Sequence, residues 1–141
     1  MPNLNKNTED LSVIRAGLSK TPWLVACLCA AWCDTCTAYR KQFDTLQKQH
    51  LDKCFAWIDI EDLAYLVEDV DIENFPTLVI QHNDQILFFG TMLPDTRQLH
   101  RLLISFGASL SEDPAFGSKN TSLCQEMPPG WSLRRIILGN Q

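Results

Sequence analysis

An apolar run from Trp23 to Ala31 ends directly on Trp32-Cys33-Asp34-Thr35-Cys36. A run this short, bounded by Pro22 and a polar stretch, reads as a buried central strand, since a membrane helix needs ~20 apolar residues. Behind it the spacing becomes helical as far as about His50. Tyr39, Phe43 and Leu46 form an inner stripe, while Arg40, Lys41, Gln42 and Lys48 face outward. The chain must therefore pack a strand and a helix together with two thiols at their junction. A Cys-x-x-Cys pair spans one helical turn, within reach of a disulfide. Its first sulfur meets the positive end of the helix dipole, which favours the nucleophilic thiolate. That arrangement suits thiol–disulfide exchange.

The rest of the chain supplies the partners of this unit. Residues 1–7 are polar and expected to fray. Thr8 or Asp10 can cap a short helix carrying Leu11, Ile14 and Leu18 on one face, which Thr21-Pro22 ends. Cys54 to Ile60 is a second apolar strand. Leu63, Leu66, Val67 and Val70 then predict an amphipathic helix. Phe75-Pro76-Thr77 leads into Leu78-Val79-Ile80, and Gln85 to Phe89 follows the polar Asn83-Asp84 turn, making a hairpin that Gly90 ends. Asp95 or Thr96 caps a last helix with Leu99, Leu102, Leu103 and Phe106 on one face. The order predicts an α/β fold: a central mixed sheet built from a parallel βαβ unit and an antiparallel ββα unit, flanked by helices.

Residues 1–106 form that domain, and residues 107–141 are a Pro/Gly/Ser-rich extension. Within the extension, Trp131, Leu133, Ile136, Ile137 and Leu138 regain apolar character. A segment so short must dock on the domain, dock on another copy, or stay exposed. The chain's 141 residues are 45% hydrophobic and 21% charged, enough for a real core. A net charge of −5 and the lack of a basic cluster exclude a general affinity for nucleic acid or anionic membranes. Leu24-Val25-Ala26-Cys27 imitates a lipoprotein cleavage site, but Arg15, Lys20 and Pro22 interrupt the apolar segment such a signal needs. Six cysteines without the spacing of a secreted framework point to a reducing compartment, the cytoplasm.

Taken together, the strand, the Trp-Cys-x-x-Cys helix start, Phe75-Pro76-Thr77 and the final hairpin and helix resemble the thioredoxin family over Leu11 to Phe106. The resemblance implies a thioredoxin-like fold and a protein-disulfide oxidoreductase that uses no bound cofactor. It implies Cys33 as attacking thiolate and Cys36 as the more buried resolving thiol, joined in a disulfide when oxidised. Trp32 would shield the pair, with Asp34 and Thr35 between the cysteines. Pro76 would be the family's cis-proline, lying against the disulfide, and the Phe75 backbone would pair with an extended substrate. Partners would be disulfide or dithiol proteins and a recycling reductase.

Four positions depart from the family. Asp34-Thr35 replaces the usual Gly-Pro, Cys27 stands where members carry a buried acid, and Trp57 stands where its lysine lies. Asp34 sets a direction. A carboxylate ~6 Å from the Cys33 thiolate costs it between ~0.7 kcal/mol in water and ~3 kcal/mol at an effective dielectric near 20. Destabilising the thiolate destabilises the reduced form, so the couple is expected to be more reducing.

Two other functions fit the same residues. One is a binding or assembly module of this fold without turnover, using 107–141 as its contact. The other is a metal protein using Cys27, Cys29, Cys33 and Cys36, although their spacing matches no familiar ligand set. Cys27 and Cys29 share a strand face and read otherwise as small core residues. Cys54 reads as core, and Cys124 as a tail thiol open to a regulatory role. His50, His82 and His100 lie away from Cys33, which argues against a Cys–His hydrolase. The acidic residues between Asp59 and Glu73 read as a solvated face.

Overall fold

The computed structural model describes residues 11–30, 32–72, 74–83, 85–112, 128 and 130–139. The expected fraying of 1–7, the caps Thr8 and Asp10, Cys124 and the stretch 113–127 lie outside the described residues.

Strand β1 (Trp23–Cys29) is buried from Leu24 onward and occupies the interior of a four-stranded sheet of order β2-β1-β3-β4. It pairs in parallel with β2 (Cys54–Asp59) and antiparallel with β3 (Thr77–His82), which turns back into β4 (Gln85–Thr91). Asn83 makes that turn with φ 54°, a left-handed conformation that asparagine tolerates. The alternation along β1 divides the core. Leu24, Ala26 and Leu28 face α1 (Leu11–Leu18), while Val25, Cys27 and Cys29 face α2 (Asp34–Gln47) and α3 (Thr96–Glu112). The mixed sheet with flanking helices is the predicted architecture.

Gly17 lets α1 lie close over β2, because a Cβ there would stand 2.9 Å from the Cys54 sulfur. The helix predicted from Leu63 to Val70 is shorter than expected: a single 3-10 turn, Ala64–Val67, whose Leu66 and Val67 are buried. Glu68, Asp69 and Asp71 come directly after it, and acidic side chains there oppose the negative pole of any longer helix. Helix α3 extends past the predicted end at Phe106 to Glu112.

The apolar segment near the C-terminus docks on the domain. Helix α4 (Leu133–Leu138) packs against α1 and the 3-10 turn, with Trp131, Leu133 and Ile137 buried in the same cluster as Leu24 and Leu28. Gln81, wholly buried on β3, orients it. Its Nε2 donates to Ser132 Oγ (2.6 Å) and to the Asn83 carbonyl (2.9 Å), and its Oε1 accepts from Arg134 N–H (3.0 Å). Ser132 caps the helix by accepting from Arg135 N–H (3.1 Å). Arg15 Nε donates to the Ile137 carbonyl (2.6 Å), and the Arg134 guanidinium reaches the Leu18 carbonyl (3.2 Å) at the end of α1.

On the opposite layer, His50 is buried beside Phe55, and its Nε2 lies 2.9 Å from Nδ1 of His100 on α3. Burial, then Lys53 and His100, push the His50 pKa below its ordinary value, with Asp52 opposing. The unfolded chain therefore binds more protons than the folded one. Stability should be full above pH ~6.5 and decline as pH falls through that value toward the folded pKa. Urea midpoints measured from pH 7.5 to 5 should show the decline, and His50→Asn should reduce its slope, His82, whose pKa burial also lowers, supplying the remainder. An unchanged slope in that variant would remove His50 as the cause.

Candidate functional site

β1 ends at Cys29, and a turn closed by Cys33 N–H donating to the Ala30 carbonyl (3.1 Å) sets Cys33 at the N-cap of α2. Its backbone is extended there (φ −88°, ψ 117°), while its carbonyl already accepts the helical bond from Thr37 N–H (3.1 Å). The Cys33 thiol is partly exposed, with the exposed Asp34 and Thr35 beginning the helix beside it. Trp32 is 65% exposed, and its indole N–H donates to Glu61 Oε2 (2.7 Å). Its ring stands edge-on to Phe75, with centroids 5.6 Å apart.

The Phe75–Pro76 peptide bond is cis, Pro76 is buried, and its carbonyl accepts from Met92 N–H (3.1 Å). The pairing of Leu28 with Thr77 brings Pro76 alongside the end of β1. Cys33 and Phe75 both pack on the same core cluster. The structure thus gathers Trp32, Cys33, Phe75 and Pro76 at one end of the sheet, around the start of α2.

The disulfide differs from the pairing that the resemblance implies. Cys36 is bonded to Cys29 (Cα–Cα 5.9 Å), and Cys33 is a free thiol. The reason is one of facing. Cys36 belongs to the inward stripe of α2 with Tyr39 and Phe43, and that stripe covers the β1 face carrying Cys27 and Cys29. Cys33, as the cap, lies at the rim. Cys29, read from the sequence as a core residue, is therefore part of the site. The signal was present: a cysteine ending a strand on the face that the next helix's Cys36-Tyr39-Phe43 stripe must cover.

The inner wall is buried. The Cys27 sulfur lies 3.7 Å from that of Cys29, and burial pushes the Cys27 thiol well above its ordinary pKa, with Arg40 opposing. The Tyr39 phenol is likewise pushed up, by burial first and then by Cys27 and Asp95, and its hydroxyl has no hydrogen-bond partner among the described residues. Cys27 pairs in register with Trp57, whose ring carries the Arg40 guanidinium at 5.0 Å. These are the two positions where the resemblance places an acid and its lysine. Among the described residues, no three His, Cys, Asp or Glu side chains converge as a metal set, and no helix is long and apolar enough to cross a membrane.

The fold agrees with comparisons to known proteins. The sequence model of the Thioredoxin family matches residues 5–101, and the chain belongs to the thioredoxin family. It is 28% identical over 74 residues to an H-type thioredoxin of Brassica oleracea, covering 52% of this chain and 60% of that protein. Over 57 residues it is 30% identical to thioredoxin H3 of Arabidopsis thaliana, covering 40% of this chain and 48% of that protein. The chain thus spans no more than 60% of the length of these relatives. Among solved structures, a mutant thioredoxin from Halobacterium salinarum NRC-1 superposes with TM-score 0.56 at 20% identity, over 83% of this chain and 88% of the other. Oxidised thioredoxin O1 from Arabidopsis thaliana gives 0.55 at 20% identity, over 70% and 90%. These likenesses carry the fold.

Proposed function

We propose that this chain is a thiol–disulfide oxidoreductase acting on protein disulfides. The observation that carries the reading is the partly exposed Cys33 thiol at the N-cap of α2, one turn before Cys36 and beside Trp32, Phe75 and Pro76. The Cys33 thiolate attacks a substrate disulfide, forming a mixed disulfide and expelling one substrate thiolate. Cys36 then attacks the Cys33 sulfur, expelling the second and leaving Cys33–Cys36 oxidised. Trp32 and Phe75 offer apolar contact, and the backbone before Pro76 offers hydrogen bonds to an extended peptide. A reductase returns the dithiol. Cysteine usage favours work in the cytoplasm, where thiols stay reduced.

The test is catalysis of insulin reduction by dithiothreitol. Wild-type protein should accelerate it, Cys33→Ser should lose the acceleration, and Cys36→Ser should accumulate covalent adducts with substrate. Undiminished turnover by Cys33→Ser would refute the assignment.

Asp34→Asn tests the electrostatics of the same thiol. In a Cys29→Ser background, where Cys33–Cys36 is the disulfide of the oxidised form, removing the carboxylate favours the reduced form, so the reduction potential should rise. Redox titration against glutathione measures it, and an unchanged potential would show that Asp34 does not act on Cys33.

A further inference from the structure

Cys36 stands near two other cysteines of the site. Cys33 lies one helical turn before it at the rim, and Cys29 is bonded to it in the core. Cys29 and Cys36 are 1% and 2% exposed, so the disulfide between them is closed to a protein partner, while Cys33 remains a thiol at the surface. We propose that Cys29 is a third redox cysteine of the site, and that the disulfide migrates between Cys33–Cys36 and Cys29–Cys36. The inference rests on the oxidoreductase reading for its purpose, but its chemistry can be tested without it.

The migration is a thiol–disulfide exchange within the chain. After a substrate has been reduced, the chain carries Cys33–Cys36. The Cys29 thiol loses its proton and its sulfur attacks Cys36 Sγ. The Cys33–Cys36 bond breaks, the Cys29–Cys36 bond forms, and Cys33 leaves as a thiolate that takes up a proton. One disulfide replaces another, so no oxidant or reductant is consumed. Cys27 touches the newly bonded sulfur of Cys29 at 3.7 Å and must be the S–H donor there, because Cys29 in a disulfide has no proton.

The two isomers differ in what they show a partner. With Cys33–Cys36 the oxidised chain presents a disulfide at its surface. With Cys29–Cys36 it presents a nucleophile while holding the same two oxidising equivalents in the core. The shift protects the stored disulfide from surface thiols and leaves Cys33 able to attack a second disulfide. A site limited to Cys33 and Cys36 has no such state.

Mapping tests this directly. The protein is oxidised with diamide, quenched in acid, alkylated under denaturing conditions and cut with chymotrypsin after Leu28, Trp32 and Tyr39. In the wild type, segment 29–32 should be joined to segment 33–39, with Cys33 carrying the alkyl label. Cys33→Ser, changed only at the partly exposed position, should still lose two thiols on oxidation and give the same linked segments. Cys29→Ser should form Cys33–Cys36 instead, and Cys33 should lose its label. A Cys33→Ser protein that keeps every thiol under diamide, or a wild type with no link from segment 29–32, would overturn the proposal. If insulin turnover is present and the 29–36 link is missing, Cys29 alone is removed from the site. If the link is present without turnover, the oxidoreductase reading fails and Cys29 still stands as the core disulfide partner of Cys36.

Discussion

Replacing Trp131 with alanine should lower the unfolding free energy by ~3–5 kcal/mol, the range for truncating a large buried aromatic. Trp131 is 7% exposed and packs on Phe89 with ring centroids 5.4 Å apart, beneath the sheet face that α1 and α4 close. The lower part of the range is expected. Its buried indole N–H has no hydrogen-bond partner among the described residues, so truncation also removes an unfavourable burial. Trp131→Phe separates the two contributions, since it keeps most of the packing and deletes the unpaired N–H, and it should stay within about 1.5 kcal/mol of wild type. Calorimetry should show the alanine variant melting roughly 10 °C lower. A shift of only a degree or two would mean that α4 does not help to close the domain.

The second large effect is chemical. In native protein at pH 8, iodoacetamide should label Cys33 while sparing Cys54 and Cys27. Burial raises the Cys54 pKa to about 11, against the opposing charge of Arg134. At pH 8 that leaves ~1 thiolate in 1000, so ionisation alone slows its alkylation ~1000-fold relative to the free thiolate. Cys27 is wholly buried and its pKa is also raised, so it should react no faster. Cys33 is partly exposed at the helix start. Labelling followed by peptide mapping distinguishes these thiols from Cys124. Cys54 labelled as fast as Cys33 would show that α1 does not cover β2 as Gly17 allows.

Much of this architecture could be read from residue order. The uninterrupted run at Trp23 marked the central strand, because a strand buried on both faces has no polar alternation to show. The Tyr39-Phe43-Leu46 stripe marked the inner face of α2, and the Asn83 turn marked the hairpin. Less legible were features set by tertiary facing. The Leu63–Val70 pattern shows which side chains are buried, but helix length depends equally on the residues beyond Val67, and the acidic ones there leave only one turn. The fate of Trp131–Leu138 depended on Gln81, a polar residue following the apolar Leu78-Val79-Ile80 run of β3, whose partners in that segment lie some fifty positions away.

The site divided in the same way. Trp32, Cys33, Phe75 and Pro76 gather as the motif implies. The disulfide instead follows the face shared by Cys29 and Cys36, which spacing along the chain does not express.

The bond from Arg15 to the Ile137 carbonyl joins residues 122 positions apart. During synthesis, the oily side of α1 therefore waits half-covered until Leu133–Leu138 has been made. Contacts that distant are slow to form, and the face they leave open invites association with other unfinished chains. Among the described helices, α4 is thus the one whose arrival closes that face.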